Sequence, residues 1–235
     1  MYGFKEMRAI FVTGTDTGVG KTIVTGCLAK YLKSRGHSVI TQKWIQTGCN
    51  SFDFPLDIKA HLDIMGRDKN GIKSYLKHVA PYIFRPAYSP HLASQIENKR
   101  INADKIKKSF QLLAHKFDFV IIEGIGGALV PFNKKRLVID IVKDLNLAVL
   151  IVAQNKLGAI NHTLLTIEAL KTRNIKILGI IFNNLKGQDK QIIEDNPRII
   201  KKITGQKILG ILPWRKSHSK LHRDFFPIAE RIFKD

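Results

Sequence analysis

The sequence predicts a doubly wound, mostly parallel α/β sheet with helices on both faces, and three observations carry that prediction. Six short apolar runs, rich in β-branched residues, recur along the 235 residues. Amphipathic segments long enough for helices separate them. No repeat, low-complexity tract or Pro/Ser-rich linker breaks the alternation, so residues 1–235 are expected to form one domain.

The first run, 9–12, is too short for a helix and nearly continuous in apolar character, as a strand covered on both sides must be. Residues 21–35 follow with Val24, Cys27, Leu28, Tyr31 and Leu32 at helical spacing. They stop at Gly36, the residue that most readily takes the left-handed conformation past a helix end. The second run spans 39–43, and residues 44–90 are the least regular part of the chain. Helical spacing returns over 102–116 through Ile106, Phe110, Leu113 and Ala114, just before the third run at 119–122. Runs at 149–152, 177–182 and 208–212 complete the set, with helices expected over 161–172 and 189–203. Asn196-Pro197 should bend or break the last of these, because proline lacks an N–H and crowds the preceding turn.

Thirty-nine Lys plus Arg against nineteen Asp plus Glu give a net charge of +20, which attracts polyanions, phosphorylated ligands or anionic membrane surfaces. The lysine pairs at 107/108, 134/135 and 201/202 are dispersed, so a generally basic surface is expected instead of a dedicated nucleic-acid face. Hydrophobic residues at 44% and charged residues at 25% exclude both a disordered tail and a membrane bundle. No apolar stretch reaches bilayer-spanning length, and residues 1–7 are short and polar, so a cytoplasmic protein is expected. Cys27 and Cys49 have neither C-x-x-C nor metal spacing. They read as a buried apolar residue and a loop thiol in a reducing compartment.

In such a sheet ligands sit at the carboxyl ends of the strands, so the chemistry is sought in the loops that follow the runs. Gly14-Thr15-Asp16-Thr17-Gly18-Val19-Gly20-Lys21-Thr22 lies between the first strand and the first helix, the context of a phosphate-binding P-loop. Its backbone N–H groups can turn inward on phosphate oxygens, Lys21 can reach the outer phosphates, and the Thr22 hydroxyl can bind magnesium. The loop is one residue longer than the common form, because the position five before the Gly-Lys pair is Thr15 and the first Gly is Gly14. Glu123 ends the third run and is either a magnesium ligand or a solvated strand-end acid. The small residues Gly124-Ile125-Gly126-Gly127 after it permit close approach of an anionic group. Lys43 ends the second run and is either an anion-stabilising group or a surface lysine. Asp57, just before an apolar-periodic segment, is either a helix N-cap or a second magnesium ligand, with Asp53 and Asp63 as competitors that spacing alone does not separate.

Together these motifs resemble the ATP-dependent dethiobiotin synthetase family. The match also includes Thr47-Gly48, Pro81-Tyr82, Ser89-Pro90-His91, the block Lys156-Leu-Gly-Ala-Ile-Asn-His162, Asn183-Asn184 and Pro213-Trp214, in order over nearly the whole chain. The resemblance implies a P-loop NTPase-like homodimer that uses ATP, CO2 or bicarbonate, and 7,8-diaminononanoate with Mg2+, and that closes a cyclic urea by way of a carbamate and its phosphorylated anhydride. It implies that Lys43, Lys21 and Thr17 act in catalysis and that Thr22, Asp57 and Glu123 hold magnesium. ATP would meet residues 18–23 (Gly18, Val19, Gly20, Lys21, Thr22, Ile23), Asp57, Glu123, Gly124, Ile125 and Gly126. Asn183, Asn184, Pro213, Trp214 and Arg215 would lie toward the adenine. The diamine would meet Thr17, Lys43, Thr47, Gly126 and Gly127, with Asn161 at the two-fold interface where its carboxylate tail binds. Asn161 also suits a helix N-cap.

The chain departs from the family pattern in three places. Gly18 stands where some members carry an acid, Trp44 follows Lys43 where proline is usual, and the loop from Cys49 to Leu56 is shorter than in many relatives. Two other readings share the sheet and the loop. A partition or division-site ATPase acting on DNA or membrane would suit the charge, but its extra lysine early in the P-loop is missing here, as is a basic amphipathic tail. A non-catalytic regulatory domain is opposed by the retention of Lys21, Thr22, Lys43 and Glu123.

Overall fold

The computed structural model describes residues 8–49 and 54–234, so Asp53 and the polar stretch 1–7 lie outside the described residues. Among the described residues eight strands are interspersed with helices: β1 (Ala9–Gly14), β2 (Val39–Lys43), β3 (Ile45–Gln46), β4 (Tyr82–Ile83), β5 (Phe119–Gly127), β6 (Ala148–Gln154), β7 (Ile177–Asn183) and β8 (Ile208–Leu212). The helices are α1 (Lys21–Ser34), α2 (Leu56–Met65), α3 (Leu76–Val79), α4 (Pro90–Ile96), α5 (Ala103–Lys116), α6 (Val138–Asp144), α7 (Ala159–Lys171), α8 (Lys190–Thr204) and α9 (His218–Phe233). Six strands form one sheet in the order β2-β5-β1-β6-β7-β8, every pairing parallel. The chain winds outward from β1 in both directions, as expected of a doubly wound sheet.

Within the buried strands the side chains divide by the two-residue period. Ile10, Val12, Ile121, Leu150 and Val152 pack with α1 and α9 through Val24, Leu28, Phe225 and Ile228. Phe11, Val120, Ile122, Val149 and Ile151 face the other layer, where Ile106, Leu113, Ile141, Ile167 and Ile200 cover them. Both faces are apolar because both are covered, which is why the runs read as continuous and not alternating. Truncating a fully buried ring such as Phe182 in this core would cost about 3–5 kcal/mol.

Helix ends follow their expected signals. Gly36 takes φ +88 just past α1, Asn102 Oδ1 accepts from Asp104 N at the start of α5, and Asp189 Oδ1 accepts from Gln191 N and Ile192 N at α8. Two local expectations are revised. Pro197 neither breaks nor ends α8, which runs unbroken from Lys190 to Thr204. The carbonyl of Ile193, left without its helical donor by Pro197, accepts instead from Asn155 Nδ2 at 3.0 Å, and Asn196 Nδ2 donates to Asn155 Oδ1 at 2.9 Å. Helix α7 starts earlier than expected, with Gly158 at the N-cap, so Asn161 is an exposed first-turn residue and not the cap.

The irregular stretch 44–90 is more ordered than its sequence suggests. It holds α2, a 3-10 helix at Lys69–Tyr75, α3 and a small parallel pair of β3 with β4. Trp44 is buried, its ring 5.0 Å from Phe11 and its indole N–H donating to Gln42 Oε1, so the turn after Lys43 is anchored by packing. Cys49 is likewise buried in its loop, not solvent-facing. Among the described residues no helix is long and apolar enough to cross a membrane.

Candidate active site

Strand β1 delivers residues 14–21 to the carboxyl edge of the sheet, where Thr15 N donates to Val152 O at 3.0 Å. Gly20 takes φ +102 at the N-cap of α1 and provides no side-chain cap, so the N–H groups of the first turn stay free for an anion. A side chain at Gly20 would collide with Asn183, whose Nδ2 donates to Val19 O at 3.0 Å and so braces the loop from β7. Gly124 is glycine for a different reason: a Cβ there would stand 2.9 Å from the Phe11 ring, so packing against β1, not ligand approach, explains that residue.

Five polar side chains converge below the loop, with Lys43, Glu123 and His61 buried and Thr22 and Asp57 half-buried. Lys43 Nζ contacts Glu123 Oε1 at 2.7 Å and Asp57 Oδ2 at 2.8 Å, and donates to Gly124 O at 2.8 Å. Thr22 Oγ1 donates to Glu123 Oε1 at 3.1 Å, and His61 Nε2 lies 2.7 Å from Glu123 Oε2. Lys43 is 4% exposed and Glu123 2%, which eliminates the surface-lysine and solvated-acid alternatives. Parallel pairing of β2 with β5 sets Lys43 directly opposite Glu123, so the contact follows from register.

Asp57 is neither a loop residue nor a cap. Pro55 is the N-cap of α2, and Asp57 lies in its first turn, its N–H donating to Gln46 Oε1 at 3.1 Å. An acid there also favours the positive end of the helix. Asp63, on the same helix, is exposed and does not line the site.

Charge and burial shift the titrations. Burial lowers the Lys21 ammonium to about 8, with the nearby Lys43 charge adding to the effect. Burial also opposes the charge on Lys43, but Glu123 and Asp57 outweigh it and raise its pKa. For Glu123, burial works toward a higher pKa; Lys43 and then His61 overcome it and hold the carboxyl at about 2. The Lys21 ammonium donates to Asp16 O at 2.8 Å.

A cleft of about 710 Å³ opens over these groups. Of the residues expected at the site, it is lined by Thr17, Gly18, Gly20, Lys21, Thr22, Ile23, Lys43, Thr47, Asp57, Glu123, Ile125 and Gly126. Val19 is buried beneath the loop, while Gly124 and Gly127 do not line the cleft. Asn183, Asn184, Pro213, Trp214 and Arg215 cluster at the ends of β7 and β8 outside it, with Arg215 paired to Asp224 at 2.6 Å. Asn161 is also outside the cleft of its own chain. The sequence reading missed His61 and Gln46. The Asp57/His61 pair at i, i+4 was the available signal, since that spacing places both on one helix face.

Comparison with known proteins identifies the family. A family model described as an AAA domain matches residues 8–221. The chain is 42% identical over 187 residues to the ATP-dependent dethiobiotin synthetase BioD 2 of Haemophilus influenzae, covering 80% of this chain and 96% of the relative. It is 38% identical over 215 residues to the ATP-dependent dethiobiotin synthetase of Thermodesulfovibrio yellowstonii, with 87% and 88% covered. For that of Clostridium novyi the identity is 36% over 237 residues, with 97% and 94% covered. Among solved structures, the septum site-determining protein MinD complexed with Mg-ADP from Pyrococcus horikoshii matches with a TM-score of 0.62 at 18% identity, covering 97% of this chain and 96% of that one. A ParA family ATPase from Chlorobium tepidum matches at 0.58 and 17%, with 95% and 92% covered. Those two likenesses establish the fold alone, whereas the sequence relatives match this chain over most of its length and of theirs. The chain is therefore a member of the ATP-dependent dethiobiotin synthetase family.

Proposed function

We propose that the protein joins CO2 to 7,8-diaminononanoate and uses ATP to close the cyclic urea of dethiobiotin. The observation that carries this reading is a buried ammonium, Lys43, held between two carboxylates beside an uncapped helix N-terminus and a second buried lysine.

The chemistry sets the requirements. An amine of the substrate adds to CO2 and loses a proton, giving a carbamate anion that must approach a triphosphate. In bulk water two such anions repel weakly, but in a partly dehydrated cleft the repulsion is severe unless fixed cations stand between them. Lys43 and Lys21 are those cations. The carbamate oxygen then attacks the γ-phosphorus while the bond to ADP breaks. The second amine attacks the carbamate carbon, loses its proton, and phosphate departs with the former carbamate oxygen. No step needs a covalent bond to the protein, so the side chains contribute positioning and charge. Thr17 and Thr47, on the cleft wall, suit hydrogen bonding to the diamine.

Among the described residues no group of three or more His, Cys, Asp or Glu side chains forms a self-sufficient metal site. Thr22, Asp57 and Glu123 are hard oxygen donors, and both carboxylates already converge on a positive charge, so they fit Mg2+, which takes few protein ligands and completes its shell with water and phosphate oxygen. When bound there the ion would neutralise charge on the transferring phosphoryl group.

Leu157 is 84% exposed and Leu165 54%, flanking Asn161 on and just before α7. Two exposed leucines on either side of Asn161 are compatible with a homodimer, the arrangement in which Asn161 reaches a substrate tail. The test of the whole reading is phosphate release: it should require diamine and bicarbonate together. ATP hydrolysis that is stimulated by DNA and indifferent to the diamine would overturn it.

A further inference from the structure

We propose that His61 is a positioning residue that fixes the carboxylate of Glu123 in the orientation that meets a magnesium–nucleotide complex; this rests on the synthetase reading above. The imidazole is fully buried on α2, one turn beyond Asp57, so a single helix face delivers both groups to the site. The two oxygens of Glu123 have separate duties: Oε1 contacts Lys43 Nζ at 2.7 Å and Thr22 Oγ1 at 3.1 Å, while Oε2 contacts His61 Nε2 at 2.7 Å. A carboxylate is acceptor-only, so Nε2 carries the proton and donates. Without that donor the group could rotate about its terminal torsion, which is broad and two-fold, and Oε1 would no longer be committed to the Thr22 side.

The other ring nitrogen shows that His61 is not there for packing. Among the described residues Nδ1 is buried with no hydrogen-bond partner, a loss that an aliphatic side chain at this place would avoid. Asp57, tied to Lys43 at 2.8 Å and to Gln46 through its backbone N–H, shows that the rest of this helix face is already anchored without the imidazole. Among the described residues, what His61 alone adds is the bond to Oε2. Residues that orient a ligating carboxylate typically matter ten- to hundred-fold to metal affinity.

The test uses the full chain, Mn2+ as the paramagnetic probe and ADP, with free and bound metal read by electron paramagnetic resonance. His61→Leu and His61→Asn, which respectively lack the donor and fall short of Glu123, should weaken Mn2+ binding about tenfold to hundredfold. His61→Gln, whose amide reaches the place of Nε2, should restore most of it. Wild-type affinity in both the Leu and Asn variants, or a Gln variant as weak as they are, overturns the proposal. If His61→Leu loses its cooperative melting transition, the Asn and Gln pair decides: a stronger Gln variant supports the role and equal affinities overturn it. Absence of diamine-dependent phosphate release by the wild type would sink the synthetase reading and leave this binding result standing.

Discussion

Lys43 Nζ and Glu123 Oε1 lie 2.7 Å apart, both nearly sealed from solvent, on adjacent parallel strands that place the two residues opposite each other. This pair joins the fold to the chemistry. The sheet register creates it, burial strengthens it, and Asp57 on α2 completes the charge around the ammonium at 2.8 Å.

Removing the ammonium should separate stability from activity. Lys43→Met leaves Glu123 buried without its main counter-charge, so thermal melting should show a loss of about 3–5 kcal/mol. Adding Glu123→Gln should recover much of that stability. Diamine-dependent phosphate release should fall about a hundredfold to a thousandfold in the single variant and stay low in the double. Because Glu123 is itself assigned to the metal, the single variant decides: wild-type activity in folded Lys43→Met would assign Lys43 a structural role only.

The lowered pKa of Lys21, about 8, makes nucleotide binding pH-dependent. Above that value the free protein loses the ammonium that a triphosphate requires, so ATP affinity should decline as pH rises through about 8 and binding should take up a proton there. The sign for folding is opposite. A depressed lysine binds fewer protons folded than unfolded between about 8 and 10.5, so its contribution to stability rises across that window. Calorimetry in buffers of different ionisation enthalpy reads the proton uptake; affinity unchanged across this range would refute it.

Burial raises the Cys27 thiol to about 12, so it stays protonated near neutral pH. A thiolate-specific reagent should leave Cys27 unmodified in the native protein and react once denaturant unfolds it. Rapid modification of Cys27 before unfolding would contradict the packing described for α1.

Most of the sheet and the phosphate loop were legible because they depend on local signals. Continuous β-branched runs mark covered strands, and Gly20-Lys21-Thr22 after a strand marks an anion site. Where sequence reading failed, a distant partner decided. Pro197 predicts a bend or a break, yet α8 is unbroken, and Asn155, 38 positions before Ile193, supplies the missing donor to Ile193 O. Asp57 looked like one of three equivalent acids until α2 turned it toward Lys43 and left Asp63 in solvent. His61 carried no signal beyond its spacing from Asp57, because its importance depends on Glu123, which a different strand contributes.

That explanation of α8 has its own test. Asn155→Ala should cost about 1–3 kcal/mol by leaving the Ile193 carbonyl unpaired, and Pro197→Ala, which restores a backbone N–H, should reduce that cost when combined with it. Urea melts of the four proteins give the coupling; simple additivity would mean that Asn155 does not compensate for the proline.

The claim that two buried lysines stabilise a carbamate for phosphorylation is tested most directly by tracing oxygen. Given ATP, the diamine and bicarbonate labelled with heavy oxygen, the protein should release phosphate carrying one bicarbonate-derived oxygen, because the carbamate oxygen that attacks phosphorus leaves with it. Phosphate that carries oxygen from water alone would contradict the account.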